Sequence, residues 1–149
     1  MDSWVHQEIC LKWLNGSFIG GGLMREILFR AKSGQTWYYG GVYCIKFYHG
    51  AIGCDDYTVR WYIVTKDCDT LQVNPTTICQ YTGIKDSEGM MIFEGDIVKT
   101  NTVIPAYGTD TFTIEFVEGN FYICSNGTIV TLRSWAETVK VVGNIYDDG

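Results

Sequence analysis

Proline is scarce in this sequence, with 2 among 149 residues, which excludes long proline-rich linkers. Histidine is scarce too. His6 and His49 are too few and too far apart for a standard zinc site. None of the 6 cysteines forms a C-x-x-C pair, so zinc-ribbon and thioredoxin-type motifs are excluded. No stretch approaches the roughly 20 apolar residues of a membrane span. Basic residues are few and dispersed, 11 against 17 acidic ones, for a net charge of −6. An acidic chain repels phosphate backbones, so nucleic acid is a disfavoured partner, although a local basic patch would still allow it. There is no G-x-S-x-G, no phosphate-binding loop and no dinucleotide glycine pattern. Asp55, Asp56, Asp67 and Asp69 lack the spacing and the glycine of a calcium loop. No cofactor, metal or catalytic constellation is therefore expected.

What is present is apolar and aromatic. Hydrophobic residues make up 46% and aromatic residues 15% of the chain, the composition of a folded core. The 17 glycines fall between short apolar runs, which is the punctuation of an all-β protein. The N-terminus has an early acid and lacks the basic and apolar blocks of a leader. A cytoplasmic protein with reduced, unpaired cysteines is the expectation. Cys44, Cys79 and Cys124 sit in apolar strand patterns and read as small buried hydrophobes.

The chain reads as three segments, 1–23, 24–75 and 76–149. In the first, Ser3 can cap a helix to Asn15, with Val5, Ile9 and Trp13 on one face. Glycine codons are purine-rich, so Gly20-Gly21-Gly22 before Met24 equally suits a ribosome-binding sequence and an over-extended gene start. From Met24 the hydrophobic period becomes two. Strands are expected at Met24–Ala31, from Trp37, at Val42–Tyr48, at Tyr57–Thr65 and at Leu71–Val73, with Gly40-Gly41 as an interruption. Trp37, Tyr38, Tyr39, Tyr43, Tyr48, Tyr57, Trp61 and Tyr62 crowd this part. Only Lys46 and Arg60 lie near them, so a core or subunit interface explains them better than a base-stacking surface. After Thr76, short strands separated by tight turns suit a small SH3-like barrel. Asn126-Gly127 is the strongest hairpin signal. Residues 102–110 read as a loop, and Ser134–Glu137 as one helical turn.

The densest information lies in Gln80–Val98. Lys85, Asp86 and Glu88 form a charged hairpin tip, either simply solvated or a contact surface. Glu94-Gly95-Asp96 pairs two carboxylates, which invites acid–base or metal chemistry. The same triplet also marks a sharp lead-in to a strand, where glycine permits the bend and aspartate caps backbone amides. The structural reading is preferred. Lys85, Asp86, Glu88, Glu94 and Asp96 remain the candidate binding residues.

This stretch closely resembles the signature of the YopX family, small proteins found in phages and prophages. The matching residues are Gln80, Tyr81, Thr82, Gly83, Lys85, Asp86, Gly89, Ile92, Glu94, Gly95, Asp96, Ile97 and Val98. Met24–Ala31 is similar to the family's start and Val142–Asp147 to its end. The resemblance implies a β-rich N-terminal part followed by an SH3-like barrel, and it brings no established activity with it. The expected role is therefore non-enzymatic, binding itself or a host protein in the bacterial cytoplasm without a membrane. Two rival readings are an acidic inhibitor of a host nucleic-acid enzyme and a nucleic-acid-binding small barrel.

Overall fold

The structure is a computed structural model that describes residues 26–51, 53, 55–100 and 110–147. The expected helix at 3–15, the question of Met24 and most of the 102–110 loop lie outside the described residues. Within them the protein is all-β, with eleven strands and only short helical turns. The chain divides into two units, Met1–Ile78 and Cys79–Gly149.

The first unit is an antiparallel meander in the order β4-β3-β2-β1. Its strands are β1 (Phe29–Ser33), β2 (Thr36–Tyr48), β3 (Tyr57–Thr65) and β4 (Thr70–Val73). Alternation places Ala31, Tyr38, Val42, Trp61, Ile63, Leu71 and Val73 on one face, where they pack as a small core with Ile78. A turn at Pro75–Thr77 ends the meander. Its cap is Asn74, whose side chain accepts from Thr76 N at 3.1 Å.

Gly40-Gly41 does not interrupt the second strand. β2 runs unbroken through both residues. The glycine at 40 answers to space, since a Cβ there would lie 1.8 Å from the Val64 carbonyl oxygen. The thiols also depart from expectation. Cys79 is buried and outside any disulfide, as expected, but Cys44 is exposed, and Cys68 is disulfide-bonded. The expectation rested on the redox compartment, and the fold sets which thiols can meet.

The second unit opens with the hairpin of β5 (Cys79–Lys85) and β6 (Met91–Phe93). A five-stranded antiparallel sheet follows, in the order β10-β9-β8-β7-β11. Its strands are β7 (Asp96–Thr100), β8 (Thr111–Val117), β9 (Asn120–Ser125), β10 (Thr128–Thr131) and β11 (Val139–Asn144). Among the described residues β10 and β11 are its edges, and no closed barrel is formed. Asn126 and Gly127 have φ of 45° and 82°, as a type I′ turn requires. One helical turn, α1 (Leu132–Trp135), leads through a 3-10 turn into β11. The core of this unit is Ile92, Val98, Phe112, Ile114, Ile123, Leu132 and Val139.

Candidate functional site

Lys85, Asp86 and Glu88 sit where expected, at the tip of the β5–β6 hairpin, but Asp86 turns inward and is buried. Its Oδ1 accepts from the backbone N–H groups of Glu88 and Met90, each at 2.9 Å. Its Oδ2 accepts from Val141 N at 2.9 Å, at the point where the β11–β7 pairing shifts register. β11 is an edge strand, and by alternation with Val139 the Val141 amide faces away from β7, where the carboxylate takes it up. Burial pushes the Asp86 carboxyl up, but the amides of Val141, Met90 and Glu88 together with the Lys140 charge outweigh it, so the net shift is downward. The tip is further tied to β11 by Ser87 N donating to Val139 O at 3.0 Å. An exposed ion pair joins Lys140 and Glu88 at 3.0 Å. Lys85 is exposed.

Asp96 is fully buried. Its Oδ2 accepts from Phe93 N at 2.7 Å, which closes the turn between β6 and β7, as the capping reading requires. Its Oδ1 accepts from Asn144 Nδ2 at 3.1 Å. The same asparagine accepts from Tyr146 N at 3.0 Å, and its own N–H donates to Asp147 Oδ2 at 2.8 Å. Between the two carboxylates, Gly95 holds φ at +77°, a conformation that side chains disfavour. Its N–H donates to Ile114 O at 2.8 Å, and its carbonyl accepts from Ile145 N at 3.0 Å. Glu94 is half-buried, and burial pushes its carboxyl up against a smaller opposing effect of the Gln80 backbone. The Tyr146 hydroxyl is likewise pushed up by burial, then by Cys79 and Glu94.

The fold thus joins two distant parts of the sequence, Glu94-Gly95-Asp96 and Asn144–Asp147, in one hydrogen-bonded knot. Asp86 forms a second tie to the same strand, β11. Both aspartates are engaged by the protein's own donors. The arrangement is suited to holding turns in place. Among the described residues no group of three or more His, Cys, Asp or Glu is arranged to hold a metal ion, and no helix is long and apolar enough to cross a membrane.

A second candidate lies in the first unit. β1 pairs with β2 only as far as Gly40, and β4 pairs with β3 only from Trp61 onward. Past those points, Cys44–Tyr48 and Tyr57–Arg60 form a two-stranded ribbon. Ile45, Tyr48, Tyr57 and Val59 are exposed along it, at 40%, 59%, 42% and 38%. Tyr43 and Tyr62 stack at its base, with ring centroids 5.4 Å apart. Its two cations lie over its own rings, Lys46 Nζ 4.6 Å from the Tyr57 centroid and Arg60 Cζ 4.7 Å from that of Phe47. Tyr43, Tyr48, Tyr57 and Tyr62 were read from sequence as core or subunit-interface residues rather than as binding candidates, and Ile45 and Val59 were not singled out. The available signal was the absence of a polar face in Val42–Tyr48, which also suits a core strand.

Two antiparallel units with inward-turned aspartates and an exposed aromatic ribbon define an all-β protein whose buried aspartates serve its own backbone. The chain belongs to the YopX family: the family model described as "YopX protein" matches residues 28–149. No curated protein matches the chain. Among solved structures it is similar to protein EF1440 from Enterococcus faecalis, at 19% identity and a TM-score of 0.46, over 82% of this chain and 94% of that one.

Proposed function

We propose that this YopX protein is a non-enzymatic phage or prophage protein that works by binding, to copies of itself or to a host protein, in the bacterial cytoplasm. One observation carries the reading. Asp96, from the Glu94–Asp96 pair whose spacing invites acid–base or metal chemistry, and Asp86 at the hairpin tip accept hydrogen bonds from the chain's own donors, while large apolar side chains stand exposed on the β2–β3 ribbon. Within the second unit, the strand order β10-β9-β8-β7-β11 and the helical turn before the last strand support an SH3-like barrel reading. Such a scaffold takes its function from the surfaces carried on it.

Thermal melts of the wild type and Asp96→Asn, with and without magnesium, calcium or manganese, test the non-enzymatic reading. The expected result is that no cation separates the two proteins beyond their offset in its absence. A cation-dependent rise in Tm seen only in the wild type would overturn the reading and restore a carboxylate metal site.

A further inference from the structure

Among the described residues the ribbon has an open hydrogen-bonding edge. The ladder between β2 and β3 fixes which backbone groups lie there. His49 N donates to Asp56 O, so His49, and by alternation Phe47, Ile45 and Tyr43, direct their backbone groups at β3. Val42, Cys44, Lys46 and Tyr48 therefore direct theirs to the other side, where among the described residues no strand pairs with β2 beyond Gly40. An open edge with apolar side chains is a template for another strand. A two-stranded ribbon is also marginal in water without a further partner.

We propose that this edge pairs with the same edge of a second copy of the chain, antiparallel about a two-fold axis through Ile45. The inference rests on the binding reading above and names its partner. The register follows from two requirements. Outward-facing residues must pair with outward-facing residues to exchange hydrogen bonds, and like charges must not stand opposite each other. An axis through Ile45 sets Val42 against Tyr48, Cys44 against Lys46, Tyr43 against Phe47 and Ile45 against itself. Every residue from Val42 to Tyr48 is then paired, with cross-strand aromatic contacts on one face. Moving the axis to Lys46 opposes two lysines. Moving it to Cys44 brings Tyr48 opposite Gly40, whose edge β1 already occupies. The chemistry of the edge also suits a second copy. In a chain of net charge −6, β2 from Val42 to Tyr48 and β3 from Tyr57 to Tyr62 contain no carboxylate, and their cations rest on aromatic rings. The self-repulsion of the acidic chain is least there.

Sedimentation equilibrium of the full chain tests the proposal, with two variants. The wild type is expected to dimerise. Ile45→Lys places two cations on the axis and should weaken the dimer about tenfold or more, with unchanged circular dichroism and melting of the monomer. In a Cys44→Ser background, Ile45→Cys should form a disulfide-linked dimer under mild oxidation, because residues facing each other across a non-hydrogen-bonded pair come close enough to bridge. Cys44→Ser alone should give none. A wild type that stays monomeric at high micromolar concentration overturns the proposal but leaves a host partner open under the binding reading. A dimer that Ile45→Lys leaves intact, or an Ile45→Cys that never cross-links, overturns it too. So does a monomer that binds a fluorescent oligonucleotide through the ribbon.

Discussion

The two units use polar side chains in opposite ways. In the second, two aspartates are buried and each closes a turn. Asp96 joins the β6–β7 turn to Asn144, and Asp86 joins the hairpin tip to β11. In the far half of the first unit, apolar side chains are exposed, and the strand cations Lys46 and Arg60 lie over aromatic rings. A buried carboxylate surrounded by donors is costly to remove, because each donor left behind is desolvated and unpaired. An exposed tyrosine or isoleucine is cheap to change in the isolated chain. The contrast separates residues kept for stability from residues available for contact, and family-signature residues fall heavily among the former.

That contrast can be broken most directly at Asp96. Asp96→Ala should destabilise the fold by about 3 kcal/mol in urea melts, since it strands the Phe93 amide and the Asn144 side chain in a fully buried place. A loss near zero would remove the distinction between the two regions. Gly95→Val comes next, at about 2 kcal/mol, from a side chain forced to φ +77°. Its Cβ would also lie 3.3 Å from Asn144 Nδ2 and 3.4 Å from Ile145.

Asp86 sharpens the comparison through pH. Asp86→Asn should cost about 1–2 kcal/mol at neutral pH, as charge-assisted bonds to backbone amides become neutral ones. Its folded-state carboxyl is lowered, so its stabilising contribution is present above the unfolded carboxylate value and is lost as pH falls through the lower folded value. Glu94 works the other way. Its raised carboxyl makes ionisation costly in the fold, a cost relieved as pH falls through that raised value. The gap between wild type and Asp86→Asn should therefore narrow as urea melts move from neutral pH to below about pH 4. A gap that stays constant would show that the Asp86 charge contributes nothing.

The smallest effects are expected at the surface. Glu88→Gln breaks an exposed ion pair with Lys140 and should shift stability by less than about 0.5 kcal/mol. Tyr48→Ser on the ribbon should do the same in the monomer while weakening any association. A large loss of monomer stability would show that the ribbon belongs to the core.

Much of the fold was legible from local chemistry. Tyr57–Thr65 is a strand with the bounds its β-branched and aromatic run implied. Asn126-Gly127 turns as the dipeptide demands, and Gly95 occupies the positive φ that the Glu-Gly-Asp reading required. Each depends on a residue and its immediate neighbours. The readings at Gly40-Gly41, Cys44, Cys68 and Asp86 were different. Gly40 looked like a break because its true constraint is the Val64 carbonyl on another strand. Asp86 looked solvated because one of its partners, Val141, lies 55 residues away.

The sequence alone therefore determined what depends on period and local backbone preference: an all-β chain, the places of its turns, its net acidity, and membership of the YopX family through contiguous motifs. Tertiary structure decided what depends on contacts between distant residues. It brought Glu94-Gly95-Asp96 against Asn144 and Ile145, buried Asp86 against an outward-facing amide of β11, and let β2 and β3 run past β1 and β4. The physical reason is that alternation states which residues share a face, whereas burial depends on what covers that face. Val42 and Tyr48 share one face of β2, yet only Val42 lies over the core, and Tyr48 lies beyond its neighbours' ends in water.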